Sequence, residues 1–132
     1  MKLSTFLTIN AVMFIPFGIG MLMMPSVIFP MIGVNLDVDG LLMASTVGSM
    51  LFSYGVICLL GRNVSLESSA IIPLLVGNLS FHLIDSILTF RGAISGVMNS
   101  FGFMFSGMHF VLAIGFLFFF MKSKKSMKVN PA

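Results

Sequence analysis

The stretch Ala70–Phe90, AIIPLLVGNLSFHLIDSILTF, decides how this chain is read. At about 1.5 Å of rise per residue it is long enough to cross a hydrocarbon core of about 30 Å as a helix. Besides two serines and a threonine it carries Asn78, His82 and Asp85. On a helix these fall at i, i+4 and i+7 and share one face. A polar group left unsatisfied in hydrocarbon costs several kcal/mol, so that face must turn away from lipid toward other helices or a wet cavity. Any functional site is expected to start there.

The rest of the chain agrees with a membrane setting. Of 132 residues, 58% are hydrophobic and 8% charged, against about a quarter charged in a typical soluble domain. Four apolar runs of spanning length are expected, at about 3–24, 41–60, 70–90 and 98–121, followed by a polar, frayed tail over 122–132. The expected fold is therefore one all-α domain, a four-helix transmembrane bundle running up-down-up-down. Phe (15) and Met (13) do the packing, because Trp is absent and Tyr54 stands alone. Cys58 lies within an apolar run and, having no second cysteine, packs as a thiol.

Charge sets the expected orientation. With four spans, Lys2, Arg62 and the tail residues Lys122, Lys124, Lys125 and Lys128 share one side, and Arg91 with Asp37 and Asp39 takes the other. The positive-inside rule then puts both termini in the cytoplasm, with a bacterial inner membrane as the expected location. The lysine tail is read as a topology determinant touching anionic headgroups, with the lipid bilayer as its partner and no nucleic acid.

Several local signals have plain readings. The first run is too long for a signal-peptide core, and Met24-Pro25 follows it instead of a cleavage site. Pro16, with Gly18 and Gly20 after it, predicts a kink near Ile15, and Asn10 predicts an interhelical hydrogen bond. Pro25 and Pro30 predict a non-helical segment in the interface or tucked against the bundle. The NxDxDG pattern at 35–40 resembles the start of a calcium loop, but the twelfth position is Thr46, where a bidentate Glu is needed. Asp37 and Asp39 are therefore read as helix caps. Ser68 or Ser69 is the expected cap of the third span. Asn63 and Asn78 open chance matches to the glycosylation sequon. In the second span Ala44 and Gly48, and the ladder Ser45, Ser49 and Ser53, predict close helix packing, within the chain or as self-association with another copy.

Counted from the span ends, His82 lies about 12 Å deep and His109 about 16 Å. Asn78, His82, Asp85, His109 and Ser49 could then meet in one polar layer. The simplest reading is structural: His82 and Asp85 satisfy each other, Arg91 reaches back to Asp85, and His109 bonds a carbonyl or Asn78. A second reading is an amphipathic ligand site, with the layer holding the head of a lipid, a quinone or another hydrophobic small molecule and Phe and Met lining the tail pocket. A third is haem b with His82 and His109 as axial ligands, against which the depth offset counts. A fourth is a proton relay or proton-coupled transport component using His82, Asp85 and His109. Catalysis has little footing: no HExxH, GxSxG, useful Cys/His pair or phosphate loop occurs.

The order of elements also carries a likeness. A first span leads through Pro25 and the Ile32-Gly33-Val34 turn to an acidic cap, a small-residue second span and two further spans with a basic tail. This resembles the small four-helix bacterial membrane proteins grouped as DoxX-like, over nearly the whole chain, as an architecture. Some of that group look like accessory subunits of quinone-linked redox systems, and the resemblance implies such a role without implying any site residue. The expectation is a small, non-enzymatic membrane protein that binds a partner subunit or an apolar ligand such as a lipid or quinone. No cofactor is expected, haem b and quinone being the alternatives.

Overall fold

In hydrocarbon every backbone N–H and C=O must be satisfied within its own segment, so apolar runs of this length become helices. The computed structural model describes residues 1–129 and follows this rule. The elements are α1 (Leu3–Met23), α2 (Pro25–Met31), α3 (Val38–Gly61), α4 (Ile71–Ile94) and α5 (Phe101–Val129). All but α2 are long and apolar enough to cross a membrane, and the protein is a multi-pass integral membrane protein. Residues 130–132 of the expected tail lie outside the described residues.

Several boundaries differ from expectation. The Pro25–Pro30 segment is a short helix, because Pro25 occupies its first turn, where a missing N–H is harmless. α1 continues through Pro16 as one helix. α4 runs on past Phe90 to Ile94, and α5 starts at Phe101. The tail is helical to Val129 rather than frayed at 122, since Ser123 Oγ donates to the Leu66 carbonyl (2.6 Å) and Ser126 Oγ lies 3.3 Å from Glu67 Oε1. Asp37 caps α3 as expected, accepting from the Gly40 N–H at 2.8 Å. Ser68 does not cap α4 in that way. Its Oγ accepts from the N–H of Ala70, the residue before the helix, and α4 has no side-chain cap.

The chain folds as two antiparallel helix hairpins. α1 lies along α3, and their backbones nearly touch. A Cβ on Gly18 would strike the Phe52 backbone and lie 2.8 Å from the Gly48 carbonyl oxygen; one on Gly48 would strike the backbone at Leu22. Ala44 and Gly48 are buried in this seam, so their small-residue spacing is used within the chain and is unavailable for self-association. α4 lies along α5, with Ser86 Oγ donating to the Ser106 carbonyl (3.0 Å) and Ser106 Oγ to the Ser86 carbonyl (2.9 Å).

Side chains join the two hairpins. Near the termini Phe6 packs on Phe116 and Phe119 (centroids 4.7 and 5.3 Å). At mid-height Phe14 meets Phe81 and His82 (5.7 and 5.4 Å). On the third contact line, Tyr54 donates its hydroxyl to the Gly77 carbonyl at 3.0 Å. At the end away from the termini, Asn99 ties the α4–α5 turn to the end of α2: its N–H donates to the Ile32 carbonyl (2.9 Å) and its Nδ2 to the Met31 carbonyl (3.0 Å). Gly33 makes the approach possible, with φ +85° and no room for a Cβ beside the Asn99 nitrogen at 2.8 Å.

Candidate functional site

The polar stripe of α4 faces inward. Asn78, His82 and Ser86 are buried, while Leu83, Ile84, Ile87 and Leu88 on the opposite side are exposed, as a lipid-facing surface requires. His82 has no accessible surface at all. Its Nδ1 lies 2.8 Å from Nδ1 of His109 on α5. The two histidines come level because they flank their hairpin turn symmetrically, thirteen residues before Ser95 and thirteen after Gly96, which turns the chain at φ +75°. The expected depth offset is not observed: the two rings meet level across the hairpin.

A hydrogen bond between two Nδ1 atoms needs one ring to carry its proton there and the other to present a lone pair. His109 Nε2 lies 3.7 Å from Asp85 Oδ2, and the Asp85 side chain is 33% exposed. Asp85 therefore pairs across to α5 and not with His82 on its own helix. Arg91 is exposed at the end of α4, where it complements the helix dipole, and no ion pair joins it to Asp85 among the described residues. An aromatic cage of Phe14, Phe81 and Phe116 closes around the imidazoles, with Phe116 stacked on His82 at 5.4 Å.

Two members of the expected layer lie elsewhere. Asn78 faces α3: its Oδ1 accepts from the Cys58 thiol at 3.4 Å and its Nδ2 donates to the Leu74 carbonyl at 2.8 Å. Ser49 is exposed on the outer face of α3 and donates back to the Thr46 carbonyl of its own helix at 2.7 Å. Ser53 does the same to Ser49 (2.9 Å) and Ser45 to Leu41 (3.1 Å), so among the described residues this ladder makes no hydrogen bond across the bundle. Asn10, expected to bond across to another helix, bonds its own instead. It is fully buried on α1, its Nδ2 donates to the Phe6 carbonyl of the same helix (2.9 Å), and its Oδ1 has no partner; the same holds for His82 Nε2.

Beside the histidine pair, in the half of the bundle away from the termini, a cavity of about 660 Å³ opens between the hairpins. Its walls are apolar, among them Phe14, Phe17, Met21, Phe29, Phe105 and Met108. Asp85, Thr89 and His109 are its polar lining residues. Thr89 Oγ1 is occupied, donating to the Asp85 carbonyl at 2.6 Å, which leaves Asp85 and His109 as the polar point of an otherwise greasy chamber. This size and lining are those of a small-molecule site.

The arrangement does not suit a metal between the histidines. Two imidazole nitrogens on one metal each sit about 2 Å from it, hence about 4 Å apart in trans. Here they are at hydrogen-bond distance, inside a closed aromatic cage. The haem reading of His82 and His109 as an axial pair thus does not fit this geometry. Among the described residues no cluster of three or more metal-binding side chains occurs. The chain matches no family model, no curated protein and no solved structure.

Proposed function

We propose that this protein binds an amphipathic or apolar small molecule, of lipid or quinone type, in the cavity between its two hairpins. The polar end of the ligand would meet Asp85 and His109, and its apolar body would lie against the phenylalanine and methionine walls. The observation that carries this reading is the cavity of about 660 Å³, lined almost wholly by apolar side chains, with a carboxylate and an imidazole at one point of its wall. A binding role, not catalysis, suits a site with one titratable pair and no nucleophile. Both termini are placed in the cytoplasm of a bacterial inner membrane in this reading, on the strength of Lys2, Arg62 and the tail lysines at one end. Kinship with the DoxX-like group belongs to the same proposal.

Thermal unfolding in mild detergent tests it, with decyl-ubiquinone and oleate as probes. One of the two is expected to raise the melting temperature of the wild-type protein, by linkage to the folded state. Asp85→Asn should keep the melting temperature of the free protein and lose most of that gain, because Asp85 is partly exposed and its removal leaves no buried charge. Absence of stabilisation by both probes, together with no co-purifying small molecule in native mass spectrometry, would defeat the reading.

A further inference from the structure

We propose that the cavity takes an amphipathic organic cation: a protonated amine, or another singly charged head, on an apolar body. This rests on the cavity being a ligand site and adds the charge of the ligand's head.

The charges around the chamber lead to it. Asp85 and His109 are the lining residues that can carry charge, and no lysine or arginine stands among the lining residues. α1, α2 and α3 bring only hydrophobic side chains to the wall. Arg91 is exposed further along α4, and no ion pair joins it to Asp85 among the described residues. The Asp85 carboxylate is thus short of partners. His109 Nε2 at 3.7 Å is beyond hydrogen-bond reach, and among the described residues no hydrogen bond ends on the carboxylate oxygens. His109 is also held from its other side, with Nδ1 at 2.8 Å from His82 Nδ1.

With Asp85 ionised, this polar point is negative when His109 is neutral and carries no net charge when His109 is protonated. In neither state is it positive. A carboxylate at membrane depth is costly without a partner of opposite charge, and a cationic head supplies that partner. An anionic head would meet repulsion in the first state and no net attraction in the second. A neutral head can accept or donate a hydrogen bond there but leaves the charge uncompensated.

The walls suit a cation as well. Phe14, Phe17, Phe29, Phe81 and Phe105 line the chamber. They meet across the two hairpins, Phe14 with Phe81 at 5.7 Å and Phe17 with Phe105 at 6.0 Å. Phe81 also packs on His109 at 5.7 Å, which brings aromatic surface up to the polar point. The face of an aromatic ring attracts a cation, most strongly where water is excluded. The same half of the bundle is the less basic one. Its loops and helix ends carry Asp37 and Asp39 against Arg91, whereas Lys2, Arg62 and the four tail lysines share the other end with Glu67. The field at the cavity end therefore draws cations toward it and the field at the far end repels them.

The test uses oleylamine, oleyl alcohol and oleate, which share one chain and differ in the charge of the head. The full chain is held in a non-ionic detergent at mildly alkaline pH, where the carboxylate is ionised and the amine still protonated. Melting temperature is followed against the mole fraction of each probe in the micelle. Oleylamine should give a set rise at a mole fraction about tenfold or more below that needed by oleate, with the alcohol between them. Asp85→Asn should erase the preference for the amine, and Asp85→Glu, which keeps the charge, should retain it. An oleate response equal to or stronger than that of oleylamine would overturn the inference. So would an amine response unchanged in Asp85→Asn. If Asp85→Asn does not fold, the rank order of the three heads on the wild type decides alone. Stabilisation by decyl-ubiquinone or oleate with none by oleylamine would sink the cation and leave the ligand site standing. Stabilisation by none of these probes would overturn the inference and count against the ligand site as well.

Discussion

The two hairpins have the same shape and are held by different physics. Along α1–α3, Gly18, Gly48 and Gly55 let the backbones approach until no Cβ fits, and no side-chain hydrogen bond crosses the seam among the described residues. Along α4–α5 the contact is polar: the reciprocal Ser86–Ser106 bonds and the His82–His109 pair span it. Lipid tails are as apolar as leucine, so helices in a membrane gain nothing from hiding apolar faces as such. They adhere through close van der Waals packing or through interhelical hydrogen bonds. This protein uses one device in each hairpin. Both hairpins line the cavity, but its polar point, Asp85 and His109, lies on the polar one, so chemistry and adhesion share α4–α5 while α1–α3 contributes apolar wall.

The sharpest way to break this contrast is to widen the close seam. Gly48→Leu should cost about 3 kcal/mol or more, or prevent folding, because its first side-chain atom already collides with backbone that cannot rotate away. Reversible unfolding by SDS, followed by circular dichroism, measures it. A loss under about 1 kcal/mol would mean that the helices separate easily and that the seam is not closed by glycine. The polar seam should answer more mildly. Ser86→Ala and Ser106→Ala should each cost about 0.6–1.7 kcal/mol, the range of hydrogen bonds between membrane helices. The double variant should cost less than the sum of the two, since each serine is donor to the other's carbonyl. Strict additivity would show that the two bonds are independent and that the reciprocal geometry carries no coupling.

Much of this contrast was visible in the residues, and the gaps have identifiable causes. Run length alone gave the four spans, because hydrocarbon thickness fixes how many apolar residues a helix needs. Ala44 and Gly48 announced the close seam from one side. Gly18 did not, because beside Pro16 it read as part of a kink. The stripe Asn78–His82–Asp85 was correctly placed on one inward face, yet its members meet different neighbours: Asn78 reaches Cys58 on α3, whereas His82 and Asp85 reach His109 on α5. Periodicity reports the face of a helix and is silent about which neighbour that face meets at each level. The histidine pairing was available in principle, since residues equidistant from a hairpin turn come level. Depths counted along each helix from its own end hid it, because the turn residues between Ile94 and Phe101 do not divide evenly between the two helices. The cavity was not legible, as its walls come from all five helices.

Ser49 supplies the finest test of the same contrast. It looks like Ser86 in sequence, a serine inside a spanning helix, and it stood beside Gly48 in a pattern that suggested packing. One residue along a helix is a rotation of about 100°, so if Gly48 faces α1, Ser49 must face away, and it does. Its hydroxyl satisfies itself on the Thr46 carbonyl one turn back. Ser49→Ala should therefore change stability by less than about 0.5 kcal/mol, with any shift toward a gain, because back-bonding of this kind slightly strains a helix. The oligomeric state in detergent should be unaltered as well. A loss matching that of Ser86→Ala, or a change in mass on size-exclusion with light scattering, would place the Ser45–Ser49–Ser53 ladder at a contact with another chain. α3 would then have two packed faces instead of one, and the division of labour between the hairpins would have to be redrawn.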